Sequence, residues 1–221
     1  MTLPQPSRRL LIAGAAGLAA ATALPGTARA AGRSSGFTVE PDIDSTAEWG
    51  ARPAQYGVDI LNKRPTKIIV HHTVGENTTD FSRAQAHAHA HWVQDLHIDD
   101  NGWTDTGYHF VVSRGGWITE GRHRSLETLY GGTSFVQGAH TAGHNTEAIG
   151  IANEGAYHDG ATPPDAQWEV LVVLCAFVCE QYGISPDELY GHKDFGQTLC
   201  PGIIHDMLPQ LRSEVAAQMA Q

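Results

Sequence analysis

The run Thr66-Lys67-Ile68-Ile69-Val70-His71-His72 decides the fold. Its β-branched and apolar centre predicts a buried strand, because β-branched side chains pack well on a pleated surface. His71 and His72 close the run, at the end of a strand where side chains project into a cleft. The stretch therefore predicts both part of the core and the position of a polar site.

The sequence on either side predicts further elements. A helix is expected at 81–97, where Gly and Pro are absent, and an extended arm at 37–65. The expected strands are 107–113, which turns through Arg114-Gly115-Gly116 into 117–120 as a hairpin, and 148–153; helices are expected at 164–182 and 204–219, and a Gly-, Thr- and His-rich loop at 126–146. Strands alternating with helices indicate an α/β fold: a single domain with a central mixed β-sheet flanked by helices.

The N-terminus predicts an export signal. Arg8-Arg9 precede an apolar stretch, Leu10 to Leu24, and the small-residue triplet Ala28-Arg29-Ala30 is typical of a cleavage site. The paired arginines favour a twin-arginine signal, and an ordinary secretory signal is the alternative. We expect a secreted, extracellular protein. The predicted organisation is an export signal at 1–30, an N-terminal tether at 31–46 and the catalytic domain at 47–221.

Composition and charge limit the partners. The formal charge is −10, and removal of residues 1–30 takes away three arginines and no acidic residue, giving −13. Such a chain is repelled by phosphate backbones, so no nucleic acid partner is expected. No basic amphipathic helix or second apolar run indicates a stable membrane anchor. The 41% of hydrophobic residues suffices for a core without oligomeric help, so a monomer is expected.

Cysteine and histidine positions indicate a metal site. Cys175 and Cys179 lie four apart in an apolar helical run, where two buried thiols are expected rather than a disulfide. Cys200 is left over, and as a zinc thiolate it would have a reason to persist in an exported protein. His71, His192 and Cys200 are the candidate ligands for Zn²⁺, which takes three protein ligands in catalytic sites. The alternative is that these side chains serve packing or solvent contact.

Four segments in sequence order carry a family resemblance. They are Ala47–Pro53, Ile69–Thr73, Gly102–Phe110 and Gly191–Gly202, and Gly138–Asn145 supports them. The chain resembles the N-acetylmuramoyl-L-alanine amidases related to peptidoglycan recognition proteins and phage T7 lysozyme (type 2 amidases), from about residue 47 to 205. The resemblance implies the peptidoglycan recognition protein/amidase-like fold and a peptidoglycan or muropeptide substrate.

Carried over by position, the resemblance implies that His71, His192 and Cys200 bind zinc. His71 is preferred to His72 because the family ligand is followed by one residue and then Ser or Thr, and adjacent strand residues face opposite ways. Tyr108 matches the catalytic tyrosine, whose hydroxyl orients the water or donates to the oxyanion. Thr198 occupies a position near the scissile carbonyl and is a neutral donor there.

Other polar residues have weaker assignments. His140 and Asn145 are predicted to contact the substrate, with hydrogen bonding inside their loop as the alternative. His72 is also assigned to substrate contact, and packing behind the sheet is its alternative. Glu154 lies two residues beyond Ala152 on one strand face, and proton transfer is its candidate role. The alternatives are a solvated strand end or hydrogen bonds to the following loop. His87 and His91 share a helix face that we expect to be solvated rather than metal-binding.

The expected function is zinc-dependent hydrolysis of the amide bond between N-acetylmuramic acid and L-alanine in bacterial peptidoglycan. Two alternatives stay open: a non-catalytic peptidoglycan-binding protein, and a zinc peptidase acting within the stem peptide. The resemblance implies that non-catalytic relatives usually lose the cysteine that Cys200 supplies here.

Overall fold

Eight short strands and five α-helices are the main elements of the computed structural model, which describes residues 38–221. The predicted export signal and the first residues of the predicted tether lie outside this range. The strands are β1 (Ile43–Asp44), β2 (Ile60–Leu61), β3 (Lys67–His72), β4 (Phe110–Val112), β5 (Ile118–Glu120), β6 (Phe135–Val136), β7 (Ala148–Asn153) and β8 (Leu189–Gly191). The helices are α1 (Arg83–Asp95), α2 (Ser125–Gly131), α3 (Asp165–Tyr182), α4 (Ile203–Asp206) and α5 (Leu208–Met219).

Six strands form one mixed sheet in the order β1-β5-β4-β7-β3-β8. The predicted hairpin is present, since β4 and β5 pair antiparallel with Phe110 opposite Glu120. The neighbours β4-β7, β7-β3 and β3-β8 all pair in parallel. Strands β2 and β6 form a separate antiparallel pair. This arrangement confirms the predicted α/β fold with a central mixed sheet.

The core lies on one face of the sheet. Ile68 and Val70 of β3 point into it and are fully buried. Helices α3 and α5 cover this face through apolar residues such as Leu174, Leu211 and Val215. The helix α3 ends at Gly183, whose positive φ of 72° suits the residue that terminates a helix. Helix α1 packs on the opposite face and begins at Ser82, whose side chain accepts a hydrogen bond from the Gln85 N–H.

Two predictions about local structure need correction. Residues 126–146 are not all loop, because they include most of α2 and all of β6. The last predicted helix is two helices, α4 and α5, separated at Met207. No helix within residues 38–221 combines the length and apolarity needed to cross a bilayer.

Candidate metal centre and substrate cleft

The parallel pairing of β3 with β8 brings two histidines together. Val70 pairs with Gly191, so the residues that follow, His71 within β3 and His192 just after β8, lie side by side. Parallel strands end at the same edge of a sheet, where their next side chains meet. The two imidazole ring centroids are 4.6 Å apart.

Cys200 returns to the same point along the loop that follows His192. The loop is closed by a 2.9 Å hydrogen bond from the Lys193 N–H to the Cys200 carbonyl. The Cys200 Sγ then lies 3.6 Å from Nδ1 of His71. One ligand atom from each of His71, His192 and Cys200 lies within 4.8 Å of the other two. The structure therefore brings together the three residues predicted to bind zinc.

The spacing of His71 and Cys200 fits a tetrahedral zinc ion. Bond lengths of about 2.0 Å to nitrogen and 2.3 Å to sulfur place the two atoms about 3.5 Å apart across a tetrahedral centre. The observed separation of 3.6 Å between His71 Nδ1 and Cys200 Sγ agrees with this value. Burial lowers the pKa of His71 well below its usual range, so its imidazole is neutral, as a metal ligand must be.

The Cys200 thiol needs a cation to become a thiolate. Burial raises the pKa of this thiol to about 12, and the hydrogen bond from the His72 backbone N–H, at 3.3 Å from Sγ, acts in the opposite direction. With neutral histidines as its neighbours, the thiol stays protonated at neutral pH. A divalent ion held by His71, His192 and Cys200 would supply that positive charge.

Tyr108 stands beside the metal-binding cluster. Its ring centroid is 5.0 Å from that of His71 and 5.3 Å from that of His97. Burial raises the pKa of the Tyr108 hydroxyl well above its usual value, so the group is a proton-bearing donor. His97, in the turn just after α1, accepts a 3.0 Å hydrogen bond from the Gly107 N–H and stacks on Trp103. These two contacts hold the end of α1 against the segment that carries Tyr108.

Thr198 lies on the loop between His192 and Cys200. Its Oγ1 accepts a 3.1 Å hydrogen bond from the Cys200 N–H. The hydroxyl hydrogen is not used in that bond and is available to another acceptor. The role of Thr198 at the scissile carbonyl stays a prediction.

A cavity of about 400 Å³ adjoins the cluster at His192. Trp103, Ala142 and Asn145 line its walls, and its surface is mainly apolar. Asn145 uses its Oδ1 to accept hydrogen bonds of 2.8 Å from the backbone N–H groups of His140 and Thr141. The loop is thus held by its own hydrogen bonds while Asn145 still borders the cavity. Substrate contact by His140 and Asn145 stays a prediction.

His72 and Glu154 point elsewhere. The His72 ring lies on the core side, where Nδ1 accepts a 3.1 Å hydrogen bond from the Tyr157 N–H. This position agrees with packing behind the sheet, and substrate contact by His72 stays a prediction. The Glu154 carboxylate accepts hydrogen bonds from Gln85 Nε2 at 2.9 Å and from the Arg114 N–H at 2.8 Å. These partners lie in α1 and in the β4–β5 turn rather than in the loop that follows Glu154, and proton transfer by Glu154 stays a prediction.

The helix-face histidines form no metal site. His87 pairs with the Asp44 carboxylate at 2.7 Å, and the His91 ring packs edge-on against Trp49 at 5.0 Å. Asp194, near the ligand loop, accepts from the Gly191 N–H at 2.8 Å and pairs with His205 at 2.7 Å. Asp194 thereby fixes the turn that carries His192. The contribution of the His72 backbone N–H to the Cys200 sulfur had no signal in the sequence.

Known proteins are similar to this chain in sequence and in fold. The family described as N-acetylmuramoyl-L-alanine amidase matches residues 61–203. The human protein of that name is 34% identical over 166 residues, which cover 73% of this chain and 27% of the human protein, so the chain spans about a quarter of that relative. Peptidoglycan-recognition protein SC1a of Drosophila melanogaster is 35% identical over 160 residues, covering 72% of this chain and 80% of that protein.

A solved structure gives the same result. Peptidoglycan recognition protein-LE, in complex with tracheal cytotoxin, matches with a TM-score of 0.65 and 27% identity, over 76% of this chain and 92% of that one. Fold and sequence together define a protein of the peptidoglycan recognition and amidase class. The chain belongs to the N-acetylmuramoyl-L-alanine amidase family.

Proposed function

We propose that the protein is a secreted zinc amidase that hydrolyses the amide bond between N-acetylmuramic acid and L-alanine in peptidoglycan. The observation that supports this most is the convergence of His71, His192 and Cys200 within 4.8 Å at the edge of the sheet. Zinc bound by three protein ligands supplies a water activated near neutral pH and polarises a carbonyl oxygen. The family relatives support peptidoglycan as the source of that carbonyl.

Side chains of the protein then position the substrate and its scissile carbonyl group. Tyr108, beside His71, carries a proton-bearing hydroxyl that donates to the carbonyl oxygen as negative charge develops there. Thr198 adds a neutral donor from the ligand loop. The cavity next to His192 holds part of the substrate against Trp103 and Asn145. We assign the peptide stem or sugar to this cavity because it adjoins the ligand cluster directly.

Digestion of defined muropeptides, followed by mass spectrometry, tests the proposal. We expect products in which the stem carries a free L-alanine amine, and metal analysis should find about one zinc per chain. Activity should disappear after treatment with a chelator and return when zinc is added. Full-rate digestion by the chelated protein would overturn the zinc mechanism.

The same experiment separates the alternatives. A zinc peptidase would release fragments cut within the stem and leave L-alanine attached to the sugar. A non-catalytic binding protein would retain the muropeptide without any change in its mass. Secretion is proposed from the N-terminal signal and is checked by the N-terminal sequence of the exported protein, which should begin near Ala31.

A further inference from the structure

His140 occupies a slot built from backbone. Its side chain is buried, and two glycines face its ring. A Cβ atom added to Gly138 would come within 2.6 Å of the ring, and one added to Gly150 within 2.5 Å. Real Cβ atoms do not approach that closely, so both positions require glycine for the ring to fit. A slot of this kind holds the imidazole in one orientation.

The hydrogen bonds in the slot determine where the His140 proton lies. The Nε2 atom faces the Ala148 carbonyl oxygen at 3.4 Å, and a carbonyl oxygen only accepts. The proton therefore belongs on Nε2, and Nδ1 carries the lone pair. The opposite tautomer would set the lone pair of Nε2 against that of the carbonyl.

His71 receives its own tautomer from this arrangement. Its Nε2 lies 3.0 Å from His140 Nδ1, which accepts, so the proton of His71 is on Nε2. The Thr141 hydroxyl, 3.0 Å from His140 Nδ1 and 3.4 Å from His71 Nε2, completes the group. The remaining nitrogen of His71, Nδ1, then carries a lone pair and faces Cys200 Sγ at 3.6 Å.

A third histidine supports the slot from behind. His109 donates from Nε2 to the Val136 carbonyl at 2.7 Å and accepts at Nδ1 from the Gly150 N–H at 2.9 Å. Its ring centroid is 5.6 Å from that of His140. Both nitrogens of His109 are thereby used, one as a donor and one as an acceptor, so this ring is fixed behind His140.

We propose that His140 is a positioning residue that fixes the tautomer of His71, so that Nδ1 of His71 is presented to the metal. It does so through two hydrogen bonds, from His140 to the Ala148 carbonyl and from His71 to His140. This inference rests on the proposed zinc site and adds a role to the predicted substrate contact of His140. Groups that orient a ligand histidine in this way typically contribute about 10- to 100-fold to metal affinity.

Nitrogen-15 NMR of the imidazole rings tests the proposal on the metal-free wild-type protein. We expect His71 and His140 both to carry their proton on Nε2. A His71 that carries its proton on Nδ1 would overturn the proposal, whatever the zinc content of the protein. This measurement needs no variant and no activity.

Two variants of nearly equal shape provide the second test. His140→Asn places an amide oxygen close to the position of Nδ1, whereas His140→Leu offers no acceptor. We expect His140→Leu to weaken zinc binding about 10- to 100-fold in competition with a chelating dye. His140→Asn should restore most of the affinity, and His71 in the Leu variant should show both tautomers.

The outcomes separate this inference from the proposed function. Equal zinc affinity and an unchanged His71 tautomer in the folded Leu variant would show that His140 only fills space. Wild-type protein without zinc affinity would instead refute the proposed metal site. The tautomer measurement would then still report whether His140 orients His71.

Discussion

Two polar clusters lie at the same edge of the sheet and differ in how their polar atoms are satisfied. The ligand cluster consists of His71, His192 and Cys200, and the glutamate cluster consists of Glu154, Gln85 and His89. His71 lies at the carboxyl end of β3 and Glu154 follows that of β7, and both clusters contain buried side chains. Sequence alone made residues of both clusters candidates for catalysis.

The glutamate cluster is complete without a ligand. Each Glu154 oxygen accepts a hydrogen bond from the protein, and His89 Nε2 bonds to the Thr73 hydroxyl at 3.0 Å. In the ligand cluster, one nitrogen or sulfur atom of each residue lies within 4.8 Å of the other two. Nitrogen and sulfur are the donors that zinc takes in proteins, whereas the Glu154 oxygens are already held by N–H groups. The comparison teaches that burial alone does not distinguish the two clusters; the type and the direction of the donor atoms do.

The largest expected effect follows from removing the sulfur. Cys200→Ser should reduce the zinc content to near zero and hydrolysis more than about 10³-fold, because the activated water is lost with the metal. Metal analysis and muropeptide digestion measure the two effects. Cys179→Ala, which removes a buried thiol on α3, is the matched control and should keep its zinc. Retention of zinc by Cys200→Ser would remove the distinction between the clusters.

Tyr108→Phe tests the residue beside the ligand cluster. We expect kcat to fall by about 10²-fold with zinc content unchanged, since the hydroxyl donates to charge that develops in the transition state. Steady-state kinetics and metal analysis on the same sample check both parts. A fall in zinc content together with activity would mean that Tyr108 supports the metal instead of the substrate.

Zinc affinity should depend on pH through Cys200. The pKa of the metal-free thiol is about 12, so zinc binding at neutral pH displaces its proton, while the neutral histidines release none. Affinity should therefore rise about tenfold per pH unit from about pH 6 to about pH 8. Competition titrations against a chelating dye measure this slope. A flat profile would indicate that the sulfur is not a ligand.

Much of the fold follows from local sequence. The β-branched run at 68–70 and the apolar run of α3 predicted buried elements correctly, because burial of apolar side chains also decides the tertiary structure. Helix α2 was missed since it has seven residues and no side-chain cap at its start. Strand β8 was also missed, as its three residues gain their structure from pairing with β3.

The metal-binding residues could be predicted because metal ligands are recognised by residue type and position. The family pattern pointed to His71, His192 and Cys200, and the structure brings their ligand atoms within 4.8 Å of one another. The environment of His140 was not predictable, because its slot is formed by Gly138 and Gly150, which meet the ring only in the folded chain. Likewise, only the structure shows which groups donate hydrogen bonds to the Glu154 carboxylate.

The smallest effect on activity is expected in the glutamate cluster. Glu154→Gln should leave zinc content and kcat close to those of the wild type, because its carboxylate bonds to Gln85 and Arg114 and to none of the ligands. One amide group must then face a donor, so the free energy of unfolding should fall by about 1–3 kcal/mol. Urea denaturation measures the change in the free energy of unfolding. Metal analysis and steady-state kinetics on the folded variant measure the zinc content and kcat. A selective loss of kcat without a loss of stability would assign Glu154 to proton transfer and would show that a saturated cluster can still be catalytic.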